Sequence, residues 1–196
     1  MTTRKAAAVL ALWLCAAVAI FAAKIKTQTQ SEPTFDFTTL KTWAWTAAGT
    51  GDVLIARSPN DDPKPIKARV DPVITAAVAK ELGLAGFTAS ATAGPPDVTV
   101  HYYLLVTVGS TSQLMGQFLP NLPAWGVPPF MTATQSLEMI TRGSIVLDLN
   151  ATKLDHVVWR GVAQTDIDQA QSDAKRDAII HDAAHELVKR IPRKKK

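Results

Sequence analysis

The stretch "PPDVTVHYYLLVTV", residues 95–108, decides the fold. Val98, Val100, Tyr102, Leu104, Val106 and Val108 fall on one face of an extended chain, and Thr99, His101, Tyr103 and Thr107 on the other. This period of two predicts a strand with one face in a core and the other partly wet. Downstream, "TRGSIVLDLNATKLDHVVWRGVAQTDI" (141–167) reads as two strands around a short turn. Ile145, Leu147 and Leu149 alternate in the first, and Val157 and Trp159 in the second. Sequential strands with so short a connection pair antiparallel. Gly143 opens a strand, and Gly161 suits a bulge or a close approach.

Upstream, "IKTQTQ" (25–30) alternates as a first strand. "DFTTLKTWAW" (36–45) reads as a turn capped by Asp36 that leads into a strand, with Trp43 and Trp45 on one face as core residues. "GTGDVLIARSPNDDPKPIK" (49–67) is rich in Gly, Pro and Asp and reads mostly as loop. A helix is expected after it, with Asp71 as N-cap, Pro72 in the first helical position, and Ile74, Ala77, Val78 and Leu82 on one face. Gly83 is placed as its left-handed C-cap, with Leu84 as the hydrophobic clasp. A last helix runs from Ser172 to Ile191 with Ile180, Ala183, Ala184, Leu187 and Ile191 on its apolar face, and Pro192 stops it. Strands mostly in series, with helices at two separate points, predict an α+β fold: a single, mostly antiparallel sheet with two amphipathic helices packed on one face.

The N-terminus carries an address. Arg4 and Lys5 precede an apolar run from Ala6 to Ala23, the layout of a secretory signal over residues 1–23. Cys15, the only cysteine, sits inside this run in "LWLCAAVAIFAAK" (12–24). A lipobox needs a small residue just before the cysteine. Leu14 stands there, behind the bulky Trp13, and the apolar run continues past Cys15. Lipidation at Cys15 is therefore disfavoured, and cleavage after the Ala17–Ala19 pair or after Ala22 is preferred. An uncleaved inner-membrane anchor over residues 6–23 ranks second, and a lipoprotein is the remaining alternative. With the signal removed, the mature chain has no cysteine, which excludes disulfides, thiol chemistry and cysteine metal sites.

The mature chain of about 170 residues is enough for one domain with a real core, placed at 24–191. The net charge of +4 hides an asymmetry. Six of the 21 basic residues lie in the final "KRIPRKKK". Removing these six, Arg4 and Lys5 leaves 13 basic residues against 17 acidic ones in the body. A basic tail at 192–196 suits an anionic envelope surface or lipid headgroups. Nucleic acid is not expected as a partner of an exported protein.

Several of these stretches recur in order in one family. "DFTTLKTWAW", "PPDVTVHYY", "RGSIVLDL" followed by "VVWRGVA", and a final amphipathic helix ending in "RIPRK" resemble the DUF4136 domain family over residues 25–192. The resemblance implies a bacterial envelope protein, and family members are commonly lipoproteins. This chain departs from them at Trp13 and Leu14. The family offers no established catalytic residues to carry over, and no cofactor is implied.

Among chemistry-bearing residues, His181 and His185 in "HDAAHE" (181–186) lie four apart on the last helix, with Asp177 one turn before and Glu186 on a neighbouring face. They are weak metal candidates, since no Glu follows His181 directly and no third ligand converges. His101 and His156 read as structural histidines. No nucleophile elbow, P-loop, dinucleotide fingerprint, paired-cysteine or calcium-loop pattern occurs. The proline-rich "GQFLPNLPAWGVPPFM" (116–131) carries Phe118, Trp125 and Phe130 and reads as a loop that either covers its own sheet or contacts a partner. The composite expectation is a periplasmic or envelope-associated, non-catalytic binding or accessory module with an envelope protein or anionic surface as partner. The alternatives are an enzyme with a spatially assembled site, such as a metal-dependent hydrolase using His181 and His185, and a carrier of an apolar ligand. Intact mass of the protein purified from envelopes should show an unlipidated chain beginning near Ile20 or Lys24; a diacylglyceryl group on an N-terminal Cys15 would contradict the export reading without acylation.

Overall fold

The computed structural model describes residues 25–56, 62–90, 94–108, 141–167 and 170–193. In chain order come β1 (Lys26–Ser31), a short 3-10 turn (Phe37–Thr39), β2 (Thr42–Trp45), β3 (Gly51–Ala56), α1 (Lys64–Leu84), β4 (Thr88–Ala89), β5 (Val98–Val108), β6 (Thr141–Ala151), β7 (His156–Asp166) and α2 (Asp173–Val188). The seven strands make one sheet in the order β1-β7-β6-β5-β2-β4, and β3 pairs with β5 as well.

The antiparallel half follows the expectation. β5, β6, β7 and β1 pair antiparallel in succession. The other half corrects it. β2 and β3 both run parallel to β5, and β4 runs parallel to β2, so the sheet is mixed rather than mostly antiparallel. The cause is the segment expected to be loop at 49–67. Gly51–Ala56 is a strand, and α1 follows it before the chain returns as β5. A helix between two strands of one sheet is the crossover that parallel pairing requires. Gly51 marks the tightest point: a Cβ there would run into the Tyr102 ring on the neighbouring strand.

Helix α1 starts eight residues earlier than the placement of Asp71 as N-cap implies. Asp62 Oδ1 accepts the Lys64 N–H at 3.0 Å, and Pro65 occupies the first turn, where its missing donor costs nothing. Pro72 therefore lies inside the helix. An internal proline removes one backbone bond and typically costs about 3 kcal/mol, so tertiary contacts must offset it. Asp71 supplies them. Its Oδ1 accepts from Tyr102 Oη at 2.6 Å, Thr50 Oγ1 at 2.7 Å and Lys67 Nζ at 2.9 Å, tying the helix to β5 and to the entry of β3. Gly83 does not end the helix, and Leu84 is 73% exposed rather than a clasp. Gly86, at φ +86°, takes the left-handed position instead. Phe87 N–H reaches Leu82 C=O and Gly86 N–H reaches Gly83 C=O, each at 2.9 Å, and Phe87 is the buried apolar residue that closes the motif.

At the other predicted caps the structure follows the reading. Asp36 Oδ1 accepts the Thr38 N–H at 3.0 Å, and Ser172 Oγ accepts the Lys175 N–H. Trp43 is buried, with its ring edge-to-face with Trp45 at 5.4 Å between centroids. The buried residues of both helices (among them Ile74, Val78, Leu82, Ile180, Ala184 and Leu187) belong to the same apolar cluster as Val98, Val100, Tyr102, Leu147, Leu149 and Trp159. On the opposite sheet face a smaller cluster joins Leu105, Val146 and Val162. The β6–β7 register shifts between Leu149 and Asn150, so both Val158 and Trp159 turn into the core. Gly161 lies beyond this irregularity. Its role is close approach, since a Cβ there would strike the Trp159 indole.

Burial pushes the Asp71 carboxyl up, but the bonds from Tyr102, Thr50 and Lys67 outweigh it and hold the group below its ordinary 3.8. The Thr42 and Lys41 backbone N–H groups hold Asp97 low in the same way. A depressed acid contributes stability that is present above its unfolded pKa and is lost as pH falls through the folded value. Unfolding free energy should therefore decline below about pH 3.8. Tyr102→Phe should cost about 1–2 kcal/mol at pH 6 and shrink that decline, read from urea melts at pH 6 and pH 3.

Candidate functional site

The helices and the sheet enclose an apolar pocket of about 450 Å³. Its floor is the inner face of the sheet near one end, where Leu104, Ile145 and Ala163 form one cross-strand row and Val106, Gly143 and Thr165 the next. Ile66, Arg69 and Val70 of α1 form one wall, and Arg176, Ile179, Ile180 and Ala183 of α2 the other. Ile167 and Gln171, from the β7–α2 connection, and Ile25, just before β1, complete the lining.

Small residues take part in the lining, Gly143 and Ala163 on the floor and Ala183 on the α2 wall. The Ile167 side chain leans over Gly143 into the position a Cβ would take. Polar groups also take part. Arg69 Nη2 bonds Asp177 at 2.9 Å and Asp173 at 3.1 Å, linking α1 to α2, and Arg176 pairs with Asp173 at 3.2 Å. The Gln171 side-chain oxygen is buried without a hydrogen-bond partner among the described residues.

The predicted site residues lie elsewhere. His181 and His185 are both exposed on α2. His185 Nδ1 meets Glu81 Oε2 of α1 at 2.9 Å, so it clasps the two helices together. Among the described residues no group of three or more His, Cys, Asp or Glu side chains could hold a metal. His101 contacts Asp52 through Nε2 at 3.0 Å and Thr46 through Nδ1 at 3.1 Å, and His156 contacts Glu32 at 2.9 Å, in keeping with structural roles. Cys15, Phe118, Trp125 and Phe130 lie outside the described residues, as do residues 194–196 of the basic tail. Arg193 of that tail stacks over the Phe87 ring at 4.0 Å and donates to the Leu40 carbonyl.

On the sheet face away from the helices, Arg160 Nε and Nη2 grip the two oxygens of Asp148 at 2.6 Å each. Both residues are buried. Burial pushes the Asp148 carboxyl up against the opposing pull of Arg160, and it pushes the neighbouring Tyr103 hydroxyl up to about 12. The sequence reading missed both features. The signal for the ion pair was Asp148 and Arg160 on adjacent strands, and that for the pocket was Gly143, Ala163 and Ala183 on otherwise bulky apolar faces.

The family DUF4136, described as a domain of unknown function, matches residues 27–193. No protein of curated function matches the chain. A PDZ domain protein from Parabacteroides distasonis is similar in structure, with a TM-score of 0.50 and 15% identity over 89% of this chain. The chain spans only 36% of that protein's length, and the likeness shows the fold alone. A DUF4136 family protein from Bacteroides thetaiotaomicron gives a TM-score of 0.45 at 14% identity, covering 84% of this chain and 94% of its own. A minor lipoprotein from Acinetobacter baumannii gives 0.31 at 9% identity, covering 72% and 91%. His181→Ala and His185→Ala should each change unfolding free energy by no more than about 0.5 kcal/mol, since exposed pairs contribute little. Urea melts check this, and elemental analysis should find no stoichiometric metal lost in the double variant.

Proposed function

The chain belongs to the DUF4136 family, and on that premise we propose that it is an exported, non-catalytic binding module of the bacterial cell envelope whose ligand occupies the pocket between the helices and the sheet. One observation carries the reading. The pocket is lined mainly by Ile, Val, Leu and Ala, has few polar groups, and its volume of about 450 Å³ lies within the usual range of small-molecule sites. A concave apolar surface with few polar groups recognises shape and hydrophobicity. Among the described residues the lining holds no Ser, Cys, Lys or His and only the Thr165 hydroxyl, and neither arginine can act as a base at ordinary pH. The carrier reading thereby gains over the hydrolase reading, whose histidines lie on the exposed side of α2.

Export rests on the sequence of residues 1–23, a basic start followed by an apolar run. Among the described residues no helix is long and apolar enough to cross a membrane. The position of Ile25 on the pocket wall brings the start of the described domain beside the proposed site.

Ile179 is half-buried on the α2 wall, so replacing it with Trp should fill the pocket without emptying the core. Protein released gently from envelopes should carry a small-molecule mass increment in its native mass spectrum. Ile179→Trp should lose it while keeping a cooperative melt. Wild-type protein that is consistently bare would sink the proposal.

A further inference from the structure

The charge pattern of the pocket narrows its ligand, given the reading above that the pocket is the binding site. The ionisable side chains on its lining are Arg69 and Arg176, both cations, while their partners Asp173 and Asp177 lie off the lining. Among the described residues, the hydrogen bonds of Arg69 all leave from Nη2. Its Nη1 N–H groups, outside these bonds, can donate a charge-assisted hydrogen bond to an anion. Also in the lining, the Gln171 side-chain oxygen is buried and has no hydrogen-bond partner among the described residues. An amide of this kind pairs with either a donor or an acceptor after a half-turn.

Among the described residues the rest of the lining is mainly aliphatic, with Gln164 and Thr165 polar, and contains no aromatic ring. Flat aromatic ligands gain from ring stacking, which this wall does not offer. A flexible hydrocarbon chain gains from buried area alone, which it does. We propose that the pocket takes a linear acyl chain ending in a carboxylate, with the chain between Ile66, Ile145 and Ile180 and the carboxylate at Arg69 and Gln171.

The test uses the purified full chain, stripped of lipid, titrated calorimetrically with three probes below their micellar concentrations: dodecanoate, dodecanol and dodecyltrimethylammonium. Dodecanoate should bind one to one, dodecanol about tenfold more weakly, and the cationic chain not measurably; a tenfold change corresponds to about 1.4 kcal/mol. Arg69→Gln should weaken dodecanoate about tenfold and leave dodecanol unchanged, a split that a merely structural arginine would not produce. Ile66→Trp and Ile179→Trp should each block dodecanoate and dodecanol, with thermal melts reporting that both variants fold. Equal affinity for all three probes overturns the carboxylate assignment. Binding that survives both tryptophan variants overturns the pocket as well as the ligand. If none of the probes binds, but a native adduct is still displaced by Ile179→Trp, the acyl assignment falls and the pocket as a binding site stands.

Discussion

Asp71 Oδ1 gathers three donors, from Tyr102 at the middle of β5, Thr50 at the entry to β3 and Lys67 one turn back along α1. Through these bonds one carboxylate ties the crossover helix to both strands it connects. Lys67 adds a bond to the Gly51 carbonyl and lies 5.5 Å from the centre of the Tyr102 ring. The arrangement requires a hydroxyl at 102, a residue without a side chain at 51 to admit the ring, and a helix that continues through Pro72. Strand β5 then serves as the hub of the sheet. It accepts β2 and β3 in succession along one edge and β6 along the other.

The two sheet faces solve different problems. On one face the apolar side chains join the buried residues of both helices in a single cluster that borders the pocket. The opposite face buries the Asp148–Arg160 pair beside Val146 and Val162. A buried ion pair is a weak source of net stability, because desolvation offsets most of the attraction. Its two-pronged geometry does penalise a slip in β6–β7 register, which would turn one charge toward the apolar face. This matters because the β6–β7 ladder already contains an irregularity at Leu149/Asn150, and its alignment sets the Ile145–Ala163 row on the pocket floor.

Three of the four histidines are distributed as fasteners. His185 joins α2 to Glu81 of α1, His156 joins β7 to Glu32, and His101 joins β5 to Asp52 of β3. Each bridges segments remote in sequence, and each partner is a carboxylate. The Arg69 contacts to Asp173 and Asp177 belong to the same set and link the two helices beside the pocket. The pocket lining, by contrast, is mainly aliphatic.

The sequence by itself determined the elements that local physics controls. The alternation in 95–108 and 141–166 produced β5, β6 and β7, the spacing of Ile74, Ala77, Val78 and Leu82 produced the buried face of α1, and Asp36 and Ser172 marked their caps. These signals are short-ranged, because a period or a cap depends only on near neighbours. Tertiary structure alone decided three things. It extended α1 upstream through Pro72, since the compensating donors come from residues 21 and 31 positions away. It made 51–56 a strand, whose pairing with β5 spans the whole of α1. It also created the pocket, whose lining brings Leu104, Ile145 and Ala163 of the sheet together with Ile66 of α1 and Ile180 of α2. Each rests on contacts between segments far apart in the chain, which no window of sequence contains.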